Sequence, residues 1–339
     1  MRVTELKTES GTCKLLVGES IKNLQSYCNA DKIVIVTDRN VRALQSSAFP
    51  KAEIIEIENG EESKSLDTVT KIYEKFLELE LDRSSLVIGI GGGIVCDVTG
   101  FAASTYLRGL RFAFVPTTLL AQVDASIGGK NGVNFKGYKN LIGTIRQPEF
   151  CLFDFHLLKT LAKQQLVSGF AEIVKCGAIA DVNLFSYLEQ HSQDALSLKK
   201  TAIEKVVYDS LVVKADIVSR DEKETSGERM KLNFGHTLGH AIEKVVRLPH
   251  GEAISIGMMV AANLSVSKGL IDGKDAERIE FLLKKVGLPT KLKYDKSKII
   301  DAILKDKKRR GDEINFVLLE KIGKVKIEKI TIGELEVIL

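Results

Sequence analysis

The chain has 339 residues, with Lys plus Arg at 49 against Asp plus Glu at 45, a net charge of +4. So small an excess offers no electrostatic footprint for nucleic acid or for an anionic membrane surface, and the length suggests about two domains. The five cysteines (Cys13, Cys28, Cys96, Cys151 and Cys176) are scattered without a CxxC pair, which argues against a disulfide framework and a Cys-rich zinc site. No basic-then-apolar leader opens the chain and no apolar run approaches membrane-spanning length, so the expectation is a soluble cytoplasmic protein.

The first half alternates strand and helix patterns. "DKIVIVTD" (31–38) is a β-branched run ending in a polar turn, and "AEIIEIENG" repeats that form. The amphipathic "SLDTVTKIYEKFLELEL" follows, then the apolar "SSLVIGIGGG" and "RFAFVPTT". Short apolar strands separated by helices predict a mostly parallel sheet covered on both faces. In "IGIGGGIVCDVTG" a strand ends at Ile90, glycines follow and a helix starts at once. Glycines let a backbone approach a phosphate, and a helix N-terminus offers unpaired N–H groups, which suits a dinucleotide pyrophosphate. It is not the GxGxxG fingerprint, and a plain glycine turn is the alternative. "TDRN" (37–40) and "NGEESK" (59–64) lie at strand ends, where open α/β sheets bind ligands, though each alone reads as a polar turn.

"VDASIGGKNGVNFKGYKNLIG" (123–143) collects Asp124, Lys130, Asn131, Asn134, Lys136, Lys139 and Asn140 among glycines. It reads as a solvated loop, or as one that presents ammonium and amide donors to a phosphorylated polyol. After about Phe155 the spacing becomes helical, closing with a hairpin in "INFVLLEKIGKVKIEKI" over its Ile322-Gly323 turn. In "GFAEIVKCGAI" (169–179), Glu172 and Lys175 stand three apart in an apolar helix. A carboxylate there must be paired or bound to a metal. Of five histidines, His236, His240 and His250 fall within one short stretch. Positions i and i+4 share a helix face, so His236 and His240 can converge on one ion or substrate. With Glu172 they suggest a site of the His-His-Glu type, though spacing does not say which two histidines take part.

With those residues on the page, the chain resembles the 3-dehydroquinate synthase family over nearly its whole length. The motifs that carry this are "GGGIVCDVTGFAASTYLRG", "PTTLLAQVDASIGGKNGVN", "KNLIGTIRQP", "GFAEIVKCG", "LNFGHTLGHAIE" and "HGEAISIGM", in order. The resemblance implies a Rossmann-like α/β NAD-binding domain (1–160) with a mostly parallel sheet. A mostly α-helical metal- and substrate-binding domain (161–339) follows, and the assembly is a homodimer.

Matched position by position, the resemblance makes Glu172, His236 and His250 the ligands of zinc, or of cobalt in its place. NAD contacts fall to Asp38, Asn40, Asn59, Gly60, Glu61 and Lys64. Further along they fall to Gly92, Gly93, Ile94, Asp97, Thr117, Thr118, Lys130, Lys139 and Thr160. Substrate contacts fall to Arg108, Asp124, Lys130, Asn140, Lys175 and Lys214, then Arg229, Asn233, His240, His250 and the Lys307-Lys308 pair. Lys130, Asn140, Lys175 and His240 are the catalytic candidates. One departure stands out: "SRDEKETSGER" holds one residue more than the family's usual spacing before Arg229. "KDKKRR" on its own reads as a solvated charged loop.

The implied reaction converts 3-deoxy-D-arabino-heptulosonate 7-phosphate to 3-dehydroquinate and phosphate. It proceeds by transient oxidation with NAD, phosphate elimination, reduction, ring opening and aldol closure. The alternatives are a related sugar-phosphate cyclase and a metal- and NAD-dependent polyol dehydrogenase. Neither nucleic acid nor membrane is an expected partner.

Overall fold

The structure is a computed structural model and describes residues 1–293, 295–304 and 313–338. The chain forms two compact units: Met1–Gln165 with Val218–Lys223, and Leu166–Ile217 with Glu224–Leu339.

In the first unit, the strands β1 (Arg2–Thr8) and β2 (Gly11–Val17) form an antiparallel hairpin. Next come β3 (Ile33–Asp38), α1 (Arg39–Gln45), β4 (Glu53–Ile57), α2 (Leu66–Glu78), β5 (Leu86–Gly91), α3 (Gly93–Thr105) and β6 (Arg111–Pro116). The hairpin of β7 (Lys130–Phe135) and β8 (Tyr138–Ile145) precedes β9 (Phe150–Phe153). Seven strands make one sheet in the order β1-β2-β9-β6-β5-β3-β4, parallel except between β1 and β2.

The continuous apolar run of β5 is buried along its whole length, as a central parallel strand covered on both faces requires. On one face Ile35, Ile88, Ile90, Val115 and Leu152 pack with Ile21, Leu24 and Leu157. α2 turns Val69, Ile72 and Phe76, spaced at helical period, into the interior. β3 pairs with β4 on one side and β5 on the other, so the chain reverses across the sheet there. The carboxyl ends of β3 and β5 therefore flank a topological switch point, the place where open α/β sheets bind ligands.

The glycine-rich segment 123–143 is more ordered than a presenting loop. Its second half is the β7–β8 ladder. Lys136 (φ 46°) and Gly137 (φ 80°) both take left-handed angles between Phe135 and Tyr138. That is what a two-residue hairpin turn with the right twist needs, and glycine takes one of the two positions at no steric cost.

Val218–Lys223 is fastened to the first unit by Glu222. Its carboxylate accepts from Thr8 Oγ1 (2.8 Å), Ser10 N (2.9 Å), Gln147 Nε2 (2.8 Å) and the Ser10 hydroxyl.

The second unit is built from α4 (Lys163–Ala180), α5 (Val182–Leu196), α6 (Lys200–Arg220), α7 (His236–Val246), α8 (His250–Ser267), α9 (Gly273–Lys285) and α10 (Lys296–Leu304). The strands β10 (Glu313–Lys321) and β11 (Lys324–Thr331) pair over the Ile322-Gly323 turn, and α11 (Ile332–Ile338) follows. α7 and α8 meet at two glycines. A side-chain carbon on Gly257 would stand 2.0 Å from the Gly235 carbonyl oxygen, and Gly235 itself takes φ 78°. No other residue allows both the left-handed angle and this approach of the backbones. Among the described residues, no helix is long and apolar enough to cross a membrane.

Candidate active site

α4 is buried from Leu166 to Ile179, and this interior run carries Glu172 and Lys175. Their side chains, one helical turn apart, are 1% and 2% exposed and form an ion pair. His236 is the first residue of α7 and His250 the first of α8. Both point Nε2 at Glu172 Oε1, at 3.5 Å and 3.4 Å. One donor atom from each of Glu172, His236 and His250 lies within 4.8 Å of the other two. His240 stands beside them, its ring edge-on to His236 with centroids 5.2 Å apart.

The far nitrogen of each ring fixes its orientation. His236 Nδ1 lies 3.1 Å from the Phe234 carbonyl, which can only accept, so Nδ1 carries the hydrogen and Nε2 presents a lone pair to Glu172. His250 Nδ1 lies 3.4 Å from Glu243 Oε2. Both oxygens of Glu172 are buried: Oε2 faces the Lys175 ammonium, and Oε1 faces the two imidazoles. A lone pair facing a buried carboxylate has no reason to persist without a cation between them. Metal–ligand bonds of about 2.0–2.1 Å in a tetrahedron set donor atoms roughly 3.3 Å apart, close to the two distances seen. The residues therefore fit a divalent ion of the zinc class.

The protonation states agree for two of the three donors. Burial pushes the Glu172 carboxyl up, but the Lys175 ammonium and then His236 outweigh it and hold the group well below the usual carboxylate range. Burial, reinforced by Lys175, drives His236 well below the ordinary imidazole value. Burial also lowers His250, yet its contacts with Glu172 and Glu243 carry it up to about 9. An arriving ion must therefore displace the His250 proton.

The remaining sequence candidates of this unit are Lys214, buried on α6, Arg229, buried at the start of a 3-10 turn (Arg229–Asn233), and Asn233 at its end. Asn233 donates to Glu224 Oε1 at 3.2 Å. Lys307 and Lys308 lie outside the described residues.

In the first unit, Asp38 ends β3 and its carboxylate accepts from Val41 N at 2.9 Å, capping α1, which carries Asn40. Asn59 and Gly60 turn the chain after β4, and Glu61 and Lys64 bracket the next turn. Gly92 opens α3 without a side-chain cap, with Gly93, Ile94 and Asp97 in the first turns. The first amides of α3 are thus free of any capping side chain at the switch point, as an anion site needs. The buried Lys64 ammonium pairs with Asp97 and also meets Asn140 Oδ1.

Thr117 N donates to Gly91 O at 2.9 Å, and Thr118 Oγ1 accepts from Ala121 N at 3.1 Å. Thr160 receives Gln45 Nε2 at 3.0 Å. Asp124 sits in the turn Ala121–Ala125, Lys130 begins β7, and Lys139 and Asn140 lie on β8. Arg108 follows α3 at φ 63°, a left-handed angle for a non-glycine residue. Glu243, which the sequence did not single out, orients His250, and Asn134, one of the polar residues of the 123–143 segment, bonds Glu61 and Asn140.

A doubly wound NAD-type sheet joined to a helical unit with a Glu-His-His cluster is the architecture of the sugar-phosphate cyclases. The 2-epi-5-epi-valiolone synthase of Streptomyces hygroscopicus subsp. jinggangensis, solved with NAD+ and Zn2+, is 26% identical with a TM-score of 0.89, covering 100% of this chain and 98% of that one. A 2-deoxy-scyllo-inosose synthase, solved with carbaglucose-6-phosphate, NAD+ and Co2+, is 25% identical with a TM-score of 0.88, covering 99% of both chains.

Residues 54–168 match the profile of the 3-dehydroquinate synthase N-terminal domain and 169–309 that of its C-terminal domain. The 3-dehydroquinate synthase of Acetivibrio thermocellus is 42% identical over 90% of this chain and 88% of its own length. That of Thermoanaerobacter pseudethanolicus is also 42% identical, over 95% and 92%. The chain belongs to the 3-dehydroquinate synthase family.

Proposed function

We propose that the chain catalyses the 3-dehydroquinate synthase reaction, converting 3-deoxy-D-arabino-heptulosonate 7-phosphate to 3-dehydroquinate and phosphate. One observation carries this reading. Relatives of that name are 42% identical over 90% or more of the chain, whereas the solved cyclases are 25–26% identical. A protein from Sinorhizobium meliloti described as a probable glycerol dehydrogenase shares only the fold, at 17% identity and a TM-score of 0.63.

Glu172, His236 and His250 hold a divalent ion, zinc or cobalt, and NAD lies along Asp38, Glu61, Lys64, Gly92, Gly93 and Asp97. When bound, the ion would make a ring hydroxyl more acidic, and NAD would accept its hydride and later return it. The chain's own part is positioning and proton handling. Lys130, Arg229 and Asn233 hold the anionic and polar groups of the substrate, because charged donors bind phosphate and carboxylate oxygens most strongly. Asn140 orients the polyol. His240, on the helix face shared with His236, moves protons as the phosphate leaves and the ring opens. On the same reading the protein acts in the cytoplasm as a homodimer, on a small phosphorylated sugar acid.

The test is purified, zinc-loaded protein with catalytic NAD and the heptulosonate phosphate. Phosphate release with no net NADH is expected. Steady NADH accumulation would replace this reading with a polyol dehydrogenase.

A further inference from the structure

The β7–β8 ladder is irregular at one place. Val133 pairs with Ile142 and Phe135 with Tyr138, so Asn134 alone faces Lys139, Asn140 and Leu141. Such irregularities release a residue from the ladder and re-aim its neighbours. Asn134 uses that release fully. Its backbone N–H leaves the hairpin and donates to the Lys64 carbonyl at 2.9 Å. Its side-chain Nδ2 donates to Glu61 Oε1 at 2.8 Å. Its Oδ1 accepts the Asn140 N–H at 2.9 Å, and that bond meets Asn140 in a left-handed conformation, φ 51°. The Lys64 ammonium closes the circuit on Asn140 Oδ1 and Asp97. With Oδ1 engaged, the N–H2 group is what the Asn140 amide has left to offer a ligand.

We propose that Asn134 is a positioning residue that ties the cofactor-holding Glu61 and Lys64 to the substrate-holding Asn140, so that the two ligands bind with linked affinity. This rests on the assignment of Glu61 and Lys64 to NAD and of Asn140 to the substrate. A nucleotide that orders Glu61 and Lys64 orders Asn134 through two of its own atoms, the backbone N and Nδ2, and the third, Oδ1, holds the Asn140 N–H. By linkage the effect is reciprocal, since a substrate that fixes Asn140 tightens the nucleotide site by the same factor.

The experiment uses the zinc-loaded full chain, NADH, and the phosphonate in which a CH2 replaces the bridging ester oxygen of the heptulosonate phosphate. That probe cannot eliminate phosphate, and with NADH in place of NAD no hydride leaves it. NADH affinity is read by fluorescence with and without saturating phosphonate. The native protein should bind NADH several-fold tighter with the phosphonate present, within the roughly 5–150-fold range of site-to-site coupling. Asn134→Ala should lower that factor clearly, leaving only what the direct bond from Lys64 to Asn140 carries.

Asn134→Asp keeps the acceptor for Asn140 but loses the donor to Glu61. It should also lower the factor while binding the phosphonate alone almost normally, and it decides the matter if the Ala variant does not fold. A residue that merely stiffens the hairpin would weaken both ligands and leave the factor unchanged. That result in a folded variant, or a native factor of one, overturns the proposal. Failure of the underlying assignment shows separately, as NADH affinity untouched in Lys64→Ala or phosphonate affinity untouched in Asn140→Ala.

Discussion

Glu172 and Lys175 share one face of α4 as a buried ion pair, and Lys175 is what allows the Glu172 carboxylate to stay charged in an apolar interior. Removing one partner of a buried pair leaves an uncompensated charge, at about 3–5 kcal/mol. Lys175→Met should therefore lower the melting temperature sharply in chelator. A divalent ion on Glu172 supplies the missing positive charge, so the gap to the native protein should narrow when zinc is added. Melting curves with and without zinc check this. An equal gap in both conditions means no ion reaches Glu172.

The three-residue metal assignment has a direct test. His250→Ala and Glu172→Gln each delete one donor from the cluster and should leave the dialysed protein nearly free of zinc. His236→Ala should do the same. Elemental analysis beside a far-ultraviolet spectrum separates metal loss from unfolding. Normal zinc content in any one of the folded variants removes that residue from the centre.

Asp97 gives a pH dependence. Burial raises its carboxyl from 3.8 to about 6, against the opposing pull of Lys64. For an acid whose folded value is raised, the unfolded chain ionises first as pH rises. The stability that neutral Asp97 contributes is thus complete below the unfolded value and is lost between about pH 4 and 6. Asp97→Asn cannot ionise, and the Lys64 it leaves unpaired adds an offset that is constant across this window. The melting temperature of native protein minus that of the variant should fall from pH 4 to 6 and level off above. A flat difference shows that Asp97 titrates as an ordinary surface group.

His240 stands in the histidine cluster without belonging to the Glu172 trio. His240→Asn keeps polarity and approximate size but cannot relay protons as imidazole does. It should retain zinc and fold while turnover falls by about 10²–10⁴-fold, the usual contribution of a general acid–base group. Turnover close to native makes His240 a bystander.

Much of this was legible in the residues. β-branched runs closed by polar turns gave β3 and β4, and the spacing of Val69, Ile72 and Phe76 gave α2. Glu172 in an apolar helix demands a partner on the strength of its burial alone. Other features depend on three-dimensional coincidence. Spacing alone left open which two histidines join Glu172, because His250 reaches it from a different helix. The β7–β8 hairpin was hidden because its turn is Lys136-Gly137 rather than a stronger turn pair such as Asn-Gly. Asn134 was visible only as one polar residue among several, since its role comes from standing opposite the irregular stretch of β8. Nothing in "VSRDEK" announced that Glu222 would gather donors from Thr8, Ser10 and Gln147, all distant in sequence.

The contact between Gly235 and Gly257 has a dynamic consequence. Helices whose backbones touch cannot fray independently, because opening one strips the packing surface of the other. The amides of α7 and α8 should exchange with deuterated solvent as one block rather than as two helices with separate lifetimes. An ion held by the first residue of each helix would fasten that block at the very ends where helices ordinarily loosen. Loading the centre should then slow exchange along both helices together, and losing the ion should free both N-termini at once.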